Sequence, residues 1–193
     1  MNSHDPARLI APRVFVLAKR REKVRPGTSG PAAFTWYTLA HGSDVEPRRL
    51  LPIFSPESLD DFIRDHFIKH GKDPHPHLSN DPSGLAEAID YLRGTGVELV
   101  ALDPVALSGE DYGVQQVVLP FLFSAAYYSR VMHELHAGLE KLFAENVAGS
   151  ENWINDPADL QKIKDRCAPR MEAVLLDAHS RAEEWEERHK SYS

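Results

Sequence analysis

Cysteine is nearly absent from this chain: Cys167 is the only one among 193 residues. A single thiol excludes an intramolecular disulfide and any zinc site built on cysteine pairs, and it fits a reducing compartment. Long hydrophobic runs are also missing. The longest apolar stretch, Val117 to Tyr128, is broken by Pro120 and Ser124, far short of the ~20 residues that cross a bilayer. The opening Met1-Asn2-Ser3-His4-Asp5-Pro6 holds no apolar core of a leader peptide, so no secretory signal is expected. These absences predict a soluble, cytoplasmic protein without a membrane partner. There is no internal repeat, no Gly-x-Ser-x-Gly elbow and no glycine-rich phosphate loop, which removes common hydrolase and nucleotide-binding templates.

What is present is ordinary in bulk. Hydrophobic residues make up 42% and charged residues 26%, as in globular proteins generally. The length suits one domain, or a small domain with a helical appendage. The net charge of −7 is unevenly spread, because residues 1–26 hold seven Lys/Arg against two Asp/Glu. Within Lys19-Arg20-Arg21-Glu22-Lys23-Val24-Arg25, the cations Arg20, Arg21, Lys23 and Arg25 offer a contact for nucleic acid or an acidic partner. No aromatic residue interleaves them, and the acidic remainder would repel phosphate. A solvated arm is the better reading, and nucleic acid is disfavoured as a partner.

Arg13 to Lys19 is apolar on both faces and predicts a central strand. Ala32 to Ala40, rich in aromatic and β-branched residues, predicts its antiparallel partner. Leu50 to Phe54 predicts a third strand, where Pro52 demands an edge or a bulge. Ser55 as N-cap and Pro56 at the first helical position open a helix to His70, stopped by Gly71. Lys72 to Pro82 reads as a loop, Asp81-Pro82 opens a second helix to Arg93, and Val97 to Leu102 predicts a fourth strand. Short connections imply antiparallel pairing, with the helices covering one face. Past the loop Ser108 to Gly113, Pro120 to Val147 predicts a long helix, and Asp156-Pro157 caps a final helix kinked at Pro169. The expected fold is α+β: a mostly antiparallel sheet of about four strands with two helices on one face, then a C-terminal helical hairpin. The expected division is 1–113 for the sheet domain and 114–193 for the helical region.

The segment Leu50 to Phe62, a Leu-Pro-Ile-Phe-Ser strand running into Glu57 and a helix, resembles the SseB N-terminal-like family. So does Gly96 to Pro104, although Asp103-Pro104-Val105 stands where that family has Asn-Pro-Gly. The resemblance spans about residues 12 to 105. It implies a small α+β module without known catalytic residues, acting through protein contacts.

Ten histidines are the unusual count. His66 and His70 lie one helical turn apart, with His75 and His77 following, a spacing that could offer imidazoles to a divalent metal ion. His66 also falls on the apolar face, where a hydrogen-bonded core histidine is the commoner outcome. His133-Glu134-Leu135-His136 lacks zinc-peptidase spacing. Cys167 sits in a helical pattern and reads as core. The aromatics Phe121, Phe123, Tyr127 and Tyr128, with Trp153 and Trp185 around the last helix, are candidates for a partner-binding surface, against core packing as the alternative. No catalytic residues are identified and no cofactor is called for. The expectation is a non-enzymatic adaptor or regulatory protein that binds another protein or a second copy of itself. A metal-binding protein or metal-dependent enzyme is the second reading, and a nucleic-acid accessory factor the third.

Overall fold

The computed structural model describes residues 6–42, 46–68, 71, 75–79, 81–107 and 116–190. The chain is α+β, with mixed sheets and a C-terminal helical hairpin. It divides into two compact units, each treated separately below. One is Arg13–Ser79 with Glu87–Ala126; the other is Met1–Pro12, Asn80–Ala86 and Tyr127–Ser193. The sheet unit thus runs on past residue 113, and the helical unit takes in two short segments from the first half of the chain.

In the sheet unit, β1 (Val14–Arg20) lies between β2 (Phe34–Trp36) and β5 (Pro76–Ser79), antiparallel to both. Its central position explains why Val16, Leu17 and Ala18 are all buried. The β5 strand occupies part of the segment expected to be loop. The expected strand Ala32–Ala40 splits: Ala32 and Ala33 belong to a 3₁₀ turn, and pairing with β1 runs only as far as Tyr37, whose N–H donates to the Leu17 carbonyl. Beyond that break β3 (Leu39–His41) pairs with β4 (Arg48–Ile53) instead of β1.

The second sheet has the order β3-β4-β6-β9, with β6 at Val97–Leu102 and β9 at Phe121–Ser124. Here β4 and β6 are parallel, not antiparallel. Parallel neighbours need a long crossover, and α2 (Pro56–Phe62), β5 and α3 (Pro82–Arg93) supply it. Pro52 therefore sits in an interior strand rather than at an edge. The Ile53 carbonyl accepts from Asp103 N–H on the β6 side, so alternation turns Pro52 to the opposite side. On that side β3 ends at Leu39↔Leu50 and β1 touches only at the Phe15↔Phe54 bridge. The missing N–H falls in the gap between two neighbours. The register shift of β4 against β6 falls between Arg49 and Leu50, while Pro52 itself pairs in regular register with Ala101.

Ser55 caps α2 by accepting from Ser58 N–H, and the helix widens into a π turn over Ile63–Phe67. Leu17, Phe54, Leu59, Phe62 and Phe67 form the core beneath it, with the Phe54 and Phe62 rings 4.8 Å apart.

The register 99↔124, 102↔121, 105↔118, 107↔116 continues without slip from β6–β9 into β7 (Val105–Leu107) and β8 (Gln116–Val118). These four strands are one long hairpin. It is interrupted where Pro104 and Pro120, lacking N–H groups, cannot extend the ladder. The long helix accordingly starts at Ala125, not at Pro120.

In the helical unit α4 (Ala125–Asn146) buries Val131, Leu135, Leu139, Leu142 and Phe143 at helical spacing. Asp156 caps α5 (Pro157–Cys167) by accepting from Ala158 N–H at 2.8 Å. Pro169 lies in the 3₁₀ turn Ala168–Arg170 that joins α5 to α6 (Met171–Lys190), the expected kink. Cys167 is buried with Leu142, Phe143 and Ile163. Its thiol is pushed up by burial, which suits packing and not nucleophilic chemistry.

Candidate functional site

The β7–β8 ribbon shows an unusual face pattern. Strand alternation turns Ala106 and Val117 inward, against the core of Phe54, Phe62 and Leu59. The same alternation turns Val105, Leu107 and Val118 outward, and Val105 stands directly opposite Val118. An antiparallel ribbon with one covered face normally puts polar residues on the other. Here the outer face carries three apolar residues, Val105, Leu107 and Val118, and one polar residue, Gln116, opposite Leu107. Beyond Pro120 the strand β9 carries Phe121 and Leu122, which alternate to opposite faces, and these five side chains remain between 39% and 58% exposed. The chemistry on offer is desolvation of branched and aromatic groups, with no titratable side chain among the five. Such a surface offers apolar area for desolvation and no acid, base or nucleophile among these five side chains.

Phe121 is the expected aromatic that the fold leaves outermost; Phe123 is half-buried. Tyr127 and Tyr128 are buried in the helical unit, and the Tyr127 hydroxyl hydrogen-bonds His179 Nδ1 at 2.8 Å. Trp153 packs edge-on against Phe143 at 4.8 Å, and Trp185 stacks on His189 at 4.4 Å. Tyr127 and Tyr128 are therefore core residues rather than surface contacts. Val105, Leu107, Val118 and Leu122 were missed, because single aliphatic residues flanked by prolines show no helical or strand stripe in sequence.

His66 is buried in the sheet unit, stacked on Phe62 at 4.8 Å, and its Nε2 hydrogen-bonds the Tyr37 hydroxyl. Burial pushes the Tyr37 phenol up to about 12. The ring is thus held by packing and by a neutral hydroxyl. His77 is exposed on β5 with its ring 5.3 Å from Phe34, whereas His75 is half-buried and lines a cavity of about 180 Å³ with Leu17, Tyr37 and Phe67. His70 lies outside the described residues. Among the described residues no group of three or more His, Cys, Asp or Glu side chains is arranged to hold a metal ion.

Asp103 ends β6 beside the first turn of α2. Its Oδ1 accepts from Ser55 N–H at 2.7 Å and from the Ser58 hydroxyl. A helix start at the carboxyl end of parallel strands is where α/β proteins hold phosphates. In this chain a carboxylate of its own fills that place. No helix among the described residues is long and apolar enough to cross a membrane. The basic residues Arg20, Arg21, Lys23 and Arg25 are all exposed. Comparison with protein-family models, curated proteins and solved structures finds no match.

Proposed function

We propose that this protein is a non-enzymatic adaptor or regulatory protein that engages a protein partner through the β7–β8 ribbon and the adjoining Phe121–Leu122 segment. The observation that carries the reading is the ribbon's outer face, where Val105, Leu107 and Val118 stay exposed beside a single polar residue, Gln116, while the inner face is satisfied by the core. A two-stranded ribbon is marginal alone, so rigid seating by Ala106 and Val117 lets it present the outer residues at low ordering cost. The likeness of Leu50–Phe62 and Gly96–Pro104 to the SseB N-terminal-like family points the same way. The carboxylate at the α2 start argues against a phosphate-handling enzyme at that position.

The test is affinity capture from host extract, comparing the native chain with a Val105→Asp/Leu107→Asp/Val118→Asp variant of equal thermal stability. A protein enriched by the native chain and lost from the variant supports the reading. Equal recovery by both chains, or no enrichment by either, overturns it.

A further inference from the structure

From the register of the first sheet we infer a binding face for single-stranded nucleic acid, separate from the apolar ribbon. Along the sequence the basic run contains no aromatic residue. Across the strands it does. Arg20 stands directly opposite Phe34, Ala18 opposite Trp36, and Val16 opposite His77. Opposed residues share a face of the sheet, so Arg20, Phe34, Trp36 and His77 lie on one side. The ring contacts agree, with Phe34 centred 5.9 Å from Trp36 and 5.3 Å from His77. One of these rings and the backbone of another are held in place. The Trp36 indole N–H donates to the Pro31 carbonyl at 2.9 Å, and Arg21 Nε donates to the Phe34 carbonyl at 3.1 Å. Phe34 and Trp36 are half-buried, and His77 and Arg20 are exposed.

Charge selects the occupant. Several arginines elsewhere pair with the chain's own carboxylates, as in Arg64–Asp61, Arg93–Asp90, Arg170–Glu145 and Arg181–Asp177, while Arg49, Arg166 and Arg188 bond carbonyl or hydroxyl oxygens. Lys19, Arg20, Arg21, Lys23 and Arg25 have no carboxylate partner among the described residues. Four uncompensated cations, Arg20 on the ring-bearing face with Arg21, Lys23 and Arg25 following it in the chain, together with three aromatic rings match a polymer that carries both phosphates and unstacked bases. That is the pattern of sequence-tolerant single-strand binding, in which cations track the backbone and rings stack on bases. The overall charge of −7 does not prevent this, because at physiological salt charges farther than about 8 Å are largely screened.

Fluorescence anisotropy of a labelled oligothymidylate of about 16 nucleotides, titrated with the full chain at about 50 mM salt, tests the inference. Saturable binding is expected, with log K falling against log salt at a slope of roughly −3 for four phosphate contacts. Arg20→Glu/Lys23→Glu, which spares the Arg21–Phe34 hydrogen bond, should abolish binding without changing the melting temperature. Phe34→Ala should weaken it about tenfold while leaving the salt slope unchanged. Phe34→Leu, which keeps the packing volume, should do the same if the aromatic plane is what matters. Absence of binding at low salt would overturn the inference. So would unaltered affinity in both Phe34 variants, or equal competition by polyglutamate, which mark simple attraction for polyanions or acidic peptides.

Discussion

Asp103 is the one non-glycine residue among those described with a positive φ, 46°. Short polar side chains tolerate that conformation because they bond locally, and here the bonds go to Ser55 N–H and the Ser58 hydroxyl. Asp103→Ala removes the single oxygen that accepts both bonds and keeps the strained backbone, so a loss of about 1–3 kcal/mol is expected in urea unfolding. Asp103→Asn keeps an acceptor and the tolerant backbone, and should cost less. Sequence marked Asp103-Pro104 as a strand end. It could not show that the carboxylate reaches back 48 positions to Ser55, because that proximity depends on β4 and β6 lying side by side.

Tyr37 supplies the pH prediction. Its folded-state pKa of about 12 exceeds the ordinary value of 10.0 because burial disfavours the phenolate. The stability this contributes is complete below pH 10 and is lost as pH rises from 10.0 toward about 12, since the unfolded chain ionises first. Unfolding measured across that range should show the fall, and Tyr37→Phe should flatten it. Absorbance titration of tyrosinate should lose one late-titrating group in the same variant. His66 was legible as a core histidine from its place on the apolar helix face. Its partner Tyr37, 29 residues away, was not.

At the scale of elements, α4 and α6 meet at Gly138. A Cβ added there would stand 2.7 Å from Val174 Cγ1, closer than packed atoms tolerate. Gly138→Ala should therefore destabilise by about 1–3 kcal/mol, outweighing the gain of about 1 kcal/mol in helix propensity. Adding Val174→Ala should recover most of the loss, giving a favourable coupling in a double-mutant cycle. The helices themselves were readable from their spacing and caps: Ser55 and Asp156 start α2 and α5, and Pro169 interrupts α5–α6. Strands were less so. β5, β7, β8 and β9 have three or four residues each, too few to show a period. Pro52 misled because its tolerance depends on where β3 stops.

For the whole molecule, composition and caps determined the α+β class, the helical hairpin near the C-terminus and the lack of a membrane-length apolar run. Those properties are local: they follow from the period of apolar residues, from capping hydroxyls and carboxylates, and from residues that cannot continue a ladder. Tertiary structure decided the rest. It made β4 and β6 parallel, carried the sheet unit on to residue 126, and drew residues 1–12 and 80–86 into the helical unit. It also buried Tyr127 and Tyr128 while leaving Val105, Leu107 and Val118 outward, and set Phe34 and Trp36 across from the basic strand. These outcomes depend on pairing between residues far apart in the chain. Local spacing carries no record of which strand a given strand will meet.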